Sequence, residues 1–392
     1  MTPVLCTVLR SSSLSPRNNP PPQATFMITH NNHLTFRGIS CILLGLFASP
    51  LVADTREDWE KMRKITPLNY VATQAAGKIK IDGKLDERAW KNAKWSEPHS
   101  DIEGDVKPKP RFDTRFKLLW DNRYLYFACL MEEPHVWGTL TKHDSVIFHD
   151  NDIEIFIDPD GDNHEYYEFE MNALNTGWDL FLAKPYKDGG PADNSWEIPG
   201  LKTAVHINGT LDDPSDTDKF WSVEVAIPWK VLAEFAHQAS PPKEGDHWRM
   251  NFSRVEWKHE IVDGKYQKVK GEREDNWVWS PQGIIDMHRP ERWGYVWFTK
   301  ARQFKGNMPT DPTLKVRDAL MTIYHTQKAL HRSEQRLYKS LKEMGLQEEI
   351  KALFKNHRFS MVTPNDETWE ATLEGDGVKM KVDYQSRLTP VK

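Results

Sequence analysis

The chain has 392 residues, 52 of them basic and 57 acidic, for a net charge of −5, which leaves no positive field to hold nucleic acid or an anionic membrane. Its length suits one large β-domain with an appendage, since β-sandwiches run to ~200–250 residues as single units. Three cysteines with no CxxC or CxxCH spacing exclude a disulfide scaffold and the common zinc and haem-attachment motifs.

At the N-terminus, residues 1–26 are rich in Pro, Ser and Asn and have no apolar pattern to fold around, so Met27 is a second candidate initiator. Arg37, the apolar run from Ile39 to Ala48 and the small-residue site ending at Ala53 have the three-part form of a secretory signal. The run is too short to span a membrane as a stable helix. Residues 1–53 are therefore expected to be removed on export to the periplasm or the medium, with no transmembrane span. Their removal takes away Arg10, Arg17 and Arg37 and no acid, so 52 basic residues become 49 against 57 acidic, a net charge of −8. Cys129 alone remains, in an alternating apolar stretch where a thiol is inert packing.

Residues 54–77 are expected as a loosely ordered lead-in with a short helical piece at 58–64. The domain proper, residues 78–300, opens with a short strand at 78–81, an Asp82-Gly83 turn and a helical turn ending at Trp90. Alternation at 112–119 and 124–131 around Asp121-Asn122-Arg123 predicts a hairpin with one buried face. Further strands are predicted at 153–158, 166–172, 177–182, 203–207, 220–227, 248–256 and 295–298, separated by turns of Pro, Gly and Asp. Many short strands and almost no helix imply an all-β fold, an antiparallel β-sandwich. In residues 301–392, Leu320, Ile323, Tyr324, Gln327, Leu330, Leu337, Leu341 and Met344 keep a helical period that Gly345 is placed to stop. A short helix at 347–354 and a hairpin of 369–373 with 378–384 complete this extension.

Four stretches, IDGKLDERAW at 81–90, LWDNRYLY at 119–126, NALNTGWD at 172–179 and WSVEVAIPW at 221–229, make the chain from Ile79 to Phe298 resemble the family 9 carbohydrate-binding modules, in particular their secreted, free-standing bacterial form. The resemblance implies a DOMON or family 9 type of sandwich, a polysaccharide or oligosaccharide ligand, structural calcium, and binding without cleavage in polysaccharide utilisation. In the resembled modules two Trp clamp the sugar while Asn, Arg and Glu bond its hydroxyls. The early Trp position here reads Phe148-His149, a departure from that two-Trp clamp. The other candidate ligand-binding residues are Asn172, Asn175 and Trp178 on and after the next strand, and Arg254, Glu256, Trp257 and Trp277 late in the domain. The 16 Trp of the chain supply flat faces for sugar rings, although most of them are expected in the core.

Asp158, Asp160 and Asp162 place oxygen ligands at alternate positions, as a tight loop around calcium does. An Asp-Gly turn between two strands explains the same letters without a metal. Asp152 and Glu154 belong to a second acidic group close by. Two other functions compete: a haem-binding, DOMON-type electron-transfer module, with Met171 and His149 available as axial ligands, and a component of a polysaccharide hydrolase, for which no appended catalytic domain is recognisable.

Overall fold

The computed structural model describes residues 56–391, so the expectations for residues 1–53 lie outside the described residues. The chain enters through helix α1 (Arg56–Met62) and strand β1 (Asn69–Gln74). Helix α2 (Arg88–Asn92) and the two-residue β2 (Ser100–Asp101) lead to the hairpin of β3 (Thr114–Trp120) and β4 (Tyr124–Glu132). Next come β5 (Asp152–Asp158), β6 (Tyr166–Asn172), β7 (Gly177–Leu182) and the short β8 (Ala192–Asp193). Strands β9 (Lys202–Asn208) and β10 (Phe220–Pro228), helix α3 (Trp229–Leu232) and β11 (His247–Glu256) follow. A small hairpin, β12 (His259–Val262) with β13 (Lys265–Lys268), stands before β14 (Asp275–Val278) and β15 (Gly294–Thr299).

One sheet runs in the order β8-β7-β6-β5-β11-β15-β1-β3-β4-β10-β9, with β14 beside β11 and β2 beside β14. Its ladders are antiparallel except those of β1, which is parallel to both β15 and β3. The sheet folds over itself as a sandwich: Phe116 of β3 and Phe127 of β4 lie 4.2 and 4.9 Å, centroid to centroid, from Phe252 of β11. Trp120, Trp221, Trp248 and Trp279 fill the same core and are almost wholly buried. Each such side chain contributes roughly 1.5–3 kcal/mol by leaving water. Period-2 alternation sets which residues face inward, so Ile153, Ile155 and Ile157 of β5 and Tyr167, Phe169 and Met171 of β6 enter this core. Their neighbours Glu154, Phe156, Glu168 and Glu170 must face the other way.

After the sandwich come helix α4 (Leu314–Glu334), helix α5 (Gln347–Leu353) and a second sheet of β16 (His357–Val362), β17 (Glu370–Gly375), β18 (Val378–Asp383) and β19 (Leu388–Pro390) in sequential order. They share a separate core with α1, where Trp59 and Met62 pack among Val316, Leu320, Ile323 and Leu373. No helix among the described residues is long and apolar enough to cross a membrane.

Several elements depart from the expectations. Residues 69–74, expected in the lead-in, form β1 in the middle of the sheet, because its partner β15 lies more than 200 residues away and parallel pairing leaves no hairpin signal nearby. Residues 78–81 are not a strand; Glu224 of β10 instead accepts the amides of Asp82 and Gly83 at 2.8 and 2.9 Å and the Trp90 indole at 2.7 Å. Gly83 has φ 82°, and a Cβ there would meet the His206 amide nitrogen at 2.5 Å. Helix α4 ends at Glu334, short of Gly345, since Gln335 turns left-handed at φ 56° and the Gln327 amide then bonds both the amide and the carbonyl of Tyr338. Leu341 and Met344 keep their buried places through a doubled-back turn rather than a helix. Strands β14, β16 and β19 and the β12–β13 hairpin were not read from the sequence.

Candidate functional site

The outward faces of β5, β6, β7, β11 and β14 line a cleft of about 300 Å³. Its floor is acidic. Glu154 lies directly opposite Glu170 across the β5–β6 ladder, and Glu168 opposite Phe156, although like charges in register repel. Burial and neighbouring carboxylates raise Asp152, Glu168 and Glu170 well above the usual carboxylate range, and burial pushes Glu154 up to about 7. Aromatic rings form the walls: Phe148, Trp178, Tyr186 and His288, with Phe156 beneath. Glu274, Asn276 and Asp286 complete the polar rim, and no Lys or Arg is among the lining residues. Burial pushes His288 down to about 4, so its imidazole, bonded to the Tyr166 hydroxyl at 3.0 Å, is neutral. The floor is only partly satisfied from within. Glu170 accepts the Phe148 amide at 3.0 Å and Asp152 the Val255 amide at 3.2 Å, while Glu168 Oε2 and Asp152 Oδ2 are buried without a partner. Buried acceptors of that kind are met by a ligand's donors or by water.

Of the expected ligand-binding residues, Phe148 and Trp178 stand in this cleft together with Glu154. Trp257 braces it, since its indole donates to the Phe148 carbonyl at 2.9 Å, and the Lys268 ammonium sits 3.5 Å over its ring. His149 is exposed beside the Phe148 ring, and Asn175 is exposed in the left-handed turn after β6 at φ 60°. The remaining four lie apart. Asn172 is fully buried and spends its amide on Asp150, Leu140, Leu174 and Thr176. Arg254 is equally buried, and its guanidinium bonds Glu133, Glu256, Thr114 and the Glu132 carbonyl. Trp277 is sealed behind it, with the Arg254 and Arg111 guanidiniums at 5.3 and 5.4 Å from its ring. Met171 is in the core while His149 is exposed, so they make no axial pair for a haem. Glu168, Glu170, Tyr186 and His288 escaped the sequence reading. The alternation of β6 does mark both glutamates as facing away from the core, but not that the 284–293 segment would cover that face.

The turn after β5 is acidic too, and differently held. Asp158, Asp160 and Asp162 bring carboxylate oxygens within 4.8 Å of one another. Both oxygens of Asp158 accept backbone amides, of Gly161 and Asn163 at 2.9 Å each. Asp162 pairs with Arg387 at 2.6 Å and takes the His164 amide at 2.8 Å. The Arg317 guanidinium reaches the Gly161 carbonyl. Residues 385–388 dock on this turn as a latch: the Leu388 amide donates to the Asp162 carbonyl at 3.0 Å, and the Asn163 side chain donates to the Ser386 carbonyl at 2.8 Å. Asp160 carries the least support, a 3.3 Å bond from the Asp162 amide, and burial pushes its carboxyl up to about 6.

A sequence model of the carbohydrate family 9 binding domain-like family matches residues 81–297, more than half of the chain. The chain is similar to endo-1,4-beta-xylanase A of Thermotoga maritima, 26% identical over 189 residues that make up 45% of this chain and 15% of that enzyme. It is similar also to exoglucanase XynX of Acetivibrio thermocellus, 24% identical over 162 residues, or 41% of this chain and 12% of that enzyme. The chain thus spans 15% or less of the length of these curated relatives. A solved family 9 carbohydrate-binding module from Caldicellulosiruptor kristjanssonii in complex with cellotriose aligns with a TM-score of 0.40 at 16% identity, covering 62% of this chain and 100% of that one.

Proposed function

The chain belongs to the carbohydrate family 9 binding domain-like family, and from that premise we propose that it is an exported, non-catalytic saccharide-binding protein whose ligand lies in the cleft over β5, β6 and β7. The observation that carries this reading is the pairing, in one cleft, of aromatic walls with buried, partly unpartnered acceptors. Sugar rings offer apolar faces to Phe148 and Trp178 and hydroxyl donors to Glu154, Glu168 and Glu170. Anchoring rings of this kind contribute on the order of 1–3 kcal/mol each. Five acidic side chains and no Lys or Arg line the cleft, so nothing there pairs with a uronate and neutral chains are favoured.

The test is calorimetric titration of the exported protein with cello-, xylo- and uronate oligosaccharides, β-1,4-linked chains coming first because the curated relatives are named as xylanase and exoglucanase. The Phe148→Ala and Trp178→Ala variants should each lose about 10- to 100-fold in affinity. Unchanged affinity in both variants would move the site elsewhere, and release of reducing ends would make the protein an enzyme. Sequencing of the exported chain should start near Asp54.

Calcium is part of the same proposal, with its seat at Asp158, Asp160 and Asp162. The donor set suits a hard cation, although Arg387 already supplies part of the positive charge. The contribution of the ion is therefore modest. Asp152, Glu154 and Glu170 also approach within 4.8 Å; calcium there would make saccharide affinity, rather than thermal stability, sensitive to chelator.

A further inference from the structure

A third group of ligand atoms lies where β7 meets two loops, apart from both acidic clusters. His143 Nε2 is 3.3 Å from Glu197 Oε2, 3.4 Å from Asp144 Oδ1 and 3.6 Å from Asp179 Oδ1. The other ring nitrogen, Nδ1, is 2.9 Å from the Gly177 carbonyl oxygen. A carbonyl only accepts, so Nδ1 carries a hydrogen, and Nε2, bonded to Glu197 at 3.3 Å, is the nitrogen that faces the three carboxylates, where a metal would take the place of its proton. Fixing a histidine tautomer through a backbone carbonyl is how proteins orient an imidazole for a metal. Asp179 is prepared in the same sense. It is 1% exposed, its Oδ2 accepts the Ile198 amide at 2.5 Å, and its Oδ1, aimed at His143, is buried without a hydrogen-bond partner.

We propose that His143, Asp179 and Glu197, whose ligand atoms lie within 4.8 Å of one another, form a zinc-class metal site with its fourth position open to water. Ligands at ~2.0–2.2 Å from a tetrahedral ion stand about 3.3–3.6 Å apart, and His143 Nε2 has that separation from Glu197 and from Asp179. One imidazole nitrogen among carboxylates favours zinc and its neighbours over calcium, which takes oxygen alone. The His143 and Glu197 side chains are half exposed, which leaves an open path for entry. The ion would tie β7 to the loops carrying His143 and Glu197, and so hold Trp178, the residue before Asp179, at the edge of the cleft. The site itself rests on its own three residues and stands whether or not the cleft takes a saccharide.

The test uses the untagged full chain, stripped with chelator and titrated with cobalt(II). One equivalent should give the intense visible bands of four-coordinate cobalt, and zinc should abolish them. His143→Ala, which alters a half-exposed side chain, and Asp179→Asn should each weaken cobalt binding by at least about 100-fold, beyond the 10- to 100-fold typical of outer-shell partners. Glu154→Gln should leave the bands unchanged. Zinc should also raise the melting temperature of the wild type but not of His143→Ala. Absent bands in the folded wild type, bands that persist in His143→Ala, or bands lost in Glu154→Gln would each overturn the assignment.

Discussion

Strand β5 has an acidic cluster at each end, and the two are built on opposite principles. At its start, Asp152 and Glu154 meet Glu168 and Glu170 with no guanidinium or ammonium lining the cleft and with two buried oxygens unpartnered. At its close, Asp158 is capped by two amides, Asp162 is paired with Arg387, and the C-terminal segment docks on the turn. The same residue type therefore does two jobs. Where donors of the fold meet the carboxylates, the cluster is a joint between the sandwich and its extension. Where they do not, buried carboxylate oxygens stay unpartnered, and the proposed saccharide would supply their donors.

That contrast can be broken from either side, and the largest effect is expected where a single buried cation serves buried acids. Arg254 and its partners Glu133 and Glu256 are at most 1% exposed. Arg254→Met strands two buried acids, and urea unfolding should show a loss of about 3–5 kcal/mol. At the uncompensated end the sign reverses. Glu170→Gln keeps an acceptor for the Phe148 amide but removes an acid whose ionisation burial and its neighbours oppose, so it should stabilise the protein by about 1–3 kcal/mol at pH 8 while weakening saccharide binding.

The dependence on pH follows from the same acids. Burial raises Glu154 and Glu224 to about 7 and Glu133 to about 9. The native state therefore holds protons that the unfolded chain has released, and stability falls as pH rises through these values. Histidines act in the opposite sense: burial holds His99 near 3 and His247 and His288 near 4. Their contribution is complete above the unfolded value of about 6.5 and is lost only on acidification. Between pH 6.5 and 8.5 the buried carboxylates dominate, and His143, whose pKa its bonds to Glu197 and the Gly177 carbonyl raise against burial, acts in the same sense as they do, so the melting temperature should fall over that interval, and less steeply in Glu154→Gln. A rise would mean that a bound cation compensates the cleft.

At the joint, Arg387→Ala removes two 2.6 Å ion pairs, to Asp162 and Glu165, from a guanidinium about one-third exposed. It should cost about 1–2 kcal/mol and make residues 385–388 the first to exchange amide hydrogens. The smallest effect is that of chelator on the same turn, about 1 kcal/mol when calcium exceeds its dissociation constant several-fold. Asp160→Ala should abolish it. A melting curve indifferent to chelator would leave the turn to its arginine and amides alone.

Local pattern was enough to find most of the sandwich. Alternation places β6 and β7 to the residue and β4, β5 and β10 to within one, because a strand with one face in the core must repeat every two residues. The IDGKLDERAW and WSVEVAIPW stretches were legible as family markers, and their meeting at Glu224 and Trp90 explains why they occur together. Phe148, just ahead of the acidic strand, and Trp178, on the strand after β6, could be named from the sequence as well, while Glu154 reads there as a metal ligand.

What the sequence could not carry was the identity of each side chain's partner. β1 lies between β15 and β3 by parallel pairing over a long loop, which leaves no local signature. Arg254 and Asn172 have the chemistry of sugar ligands, yet their donors are consumed inside the fold by groups 121 and 22 residues away. Asp158 and Glu170 are both buried acids on adjoining strands, and only the arrival of residues 385–388 at one and of the 284–293 segment over the other separates a joint from a cleft. Periodicity is a property of neighbours in the chain and so can be read from it. Whether a buried charge is met by an arginine, an amide or a ligand depends on contacts that form only when distant segments pack.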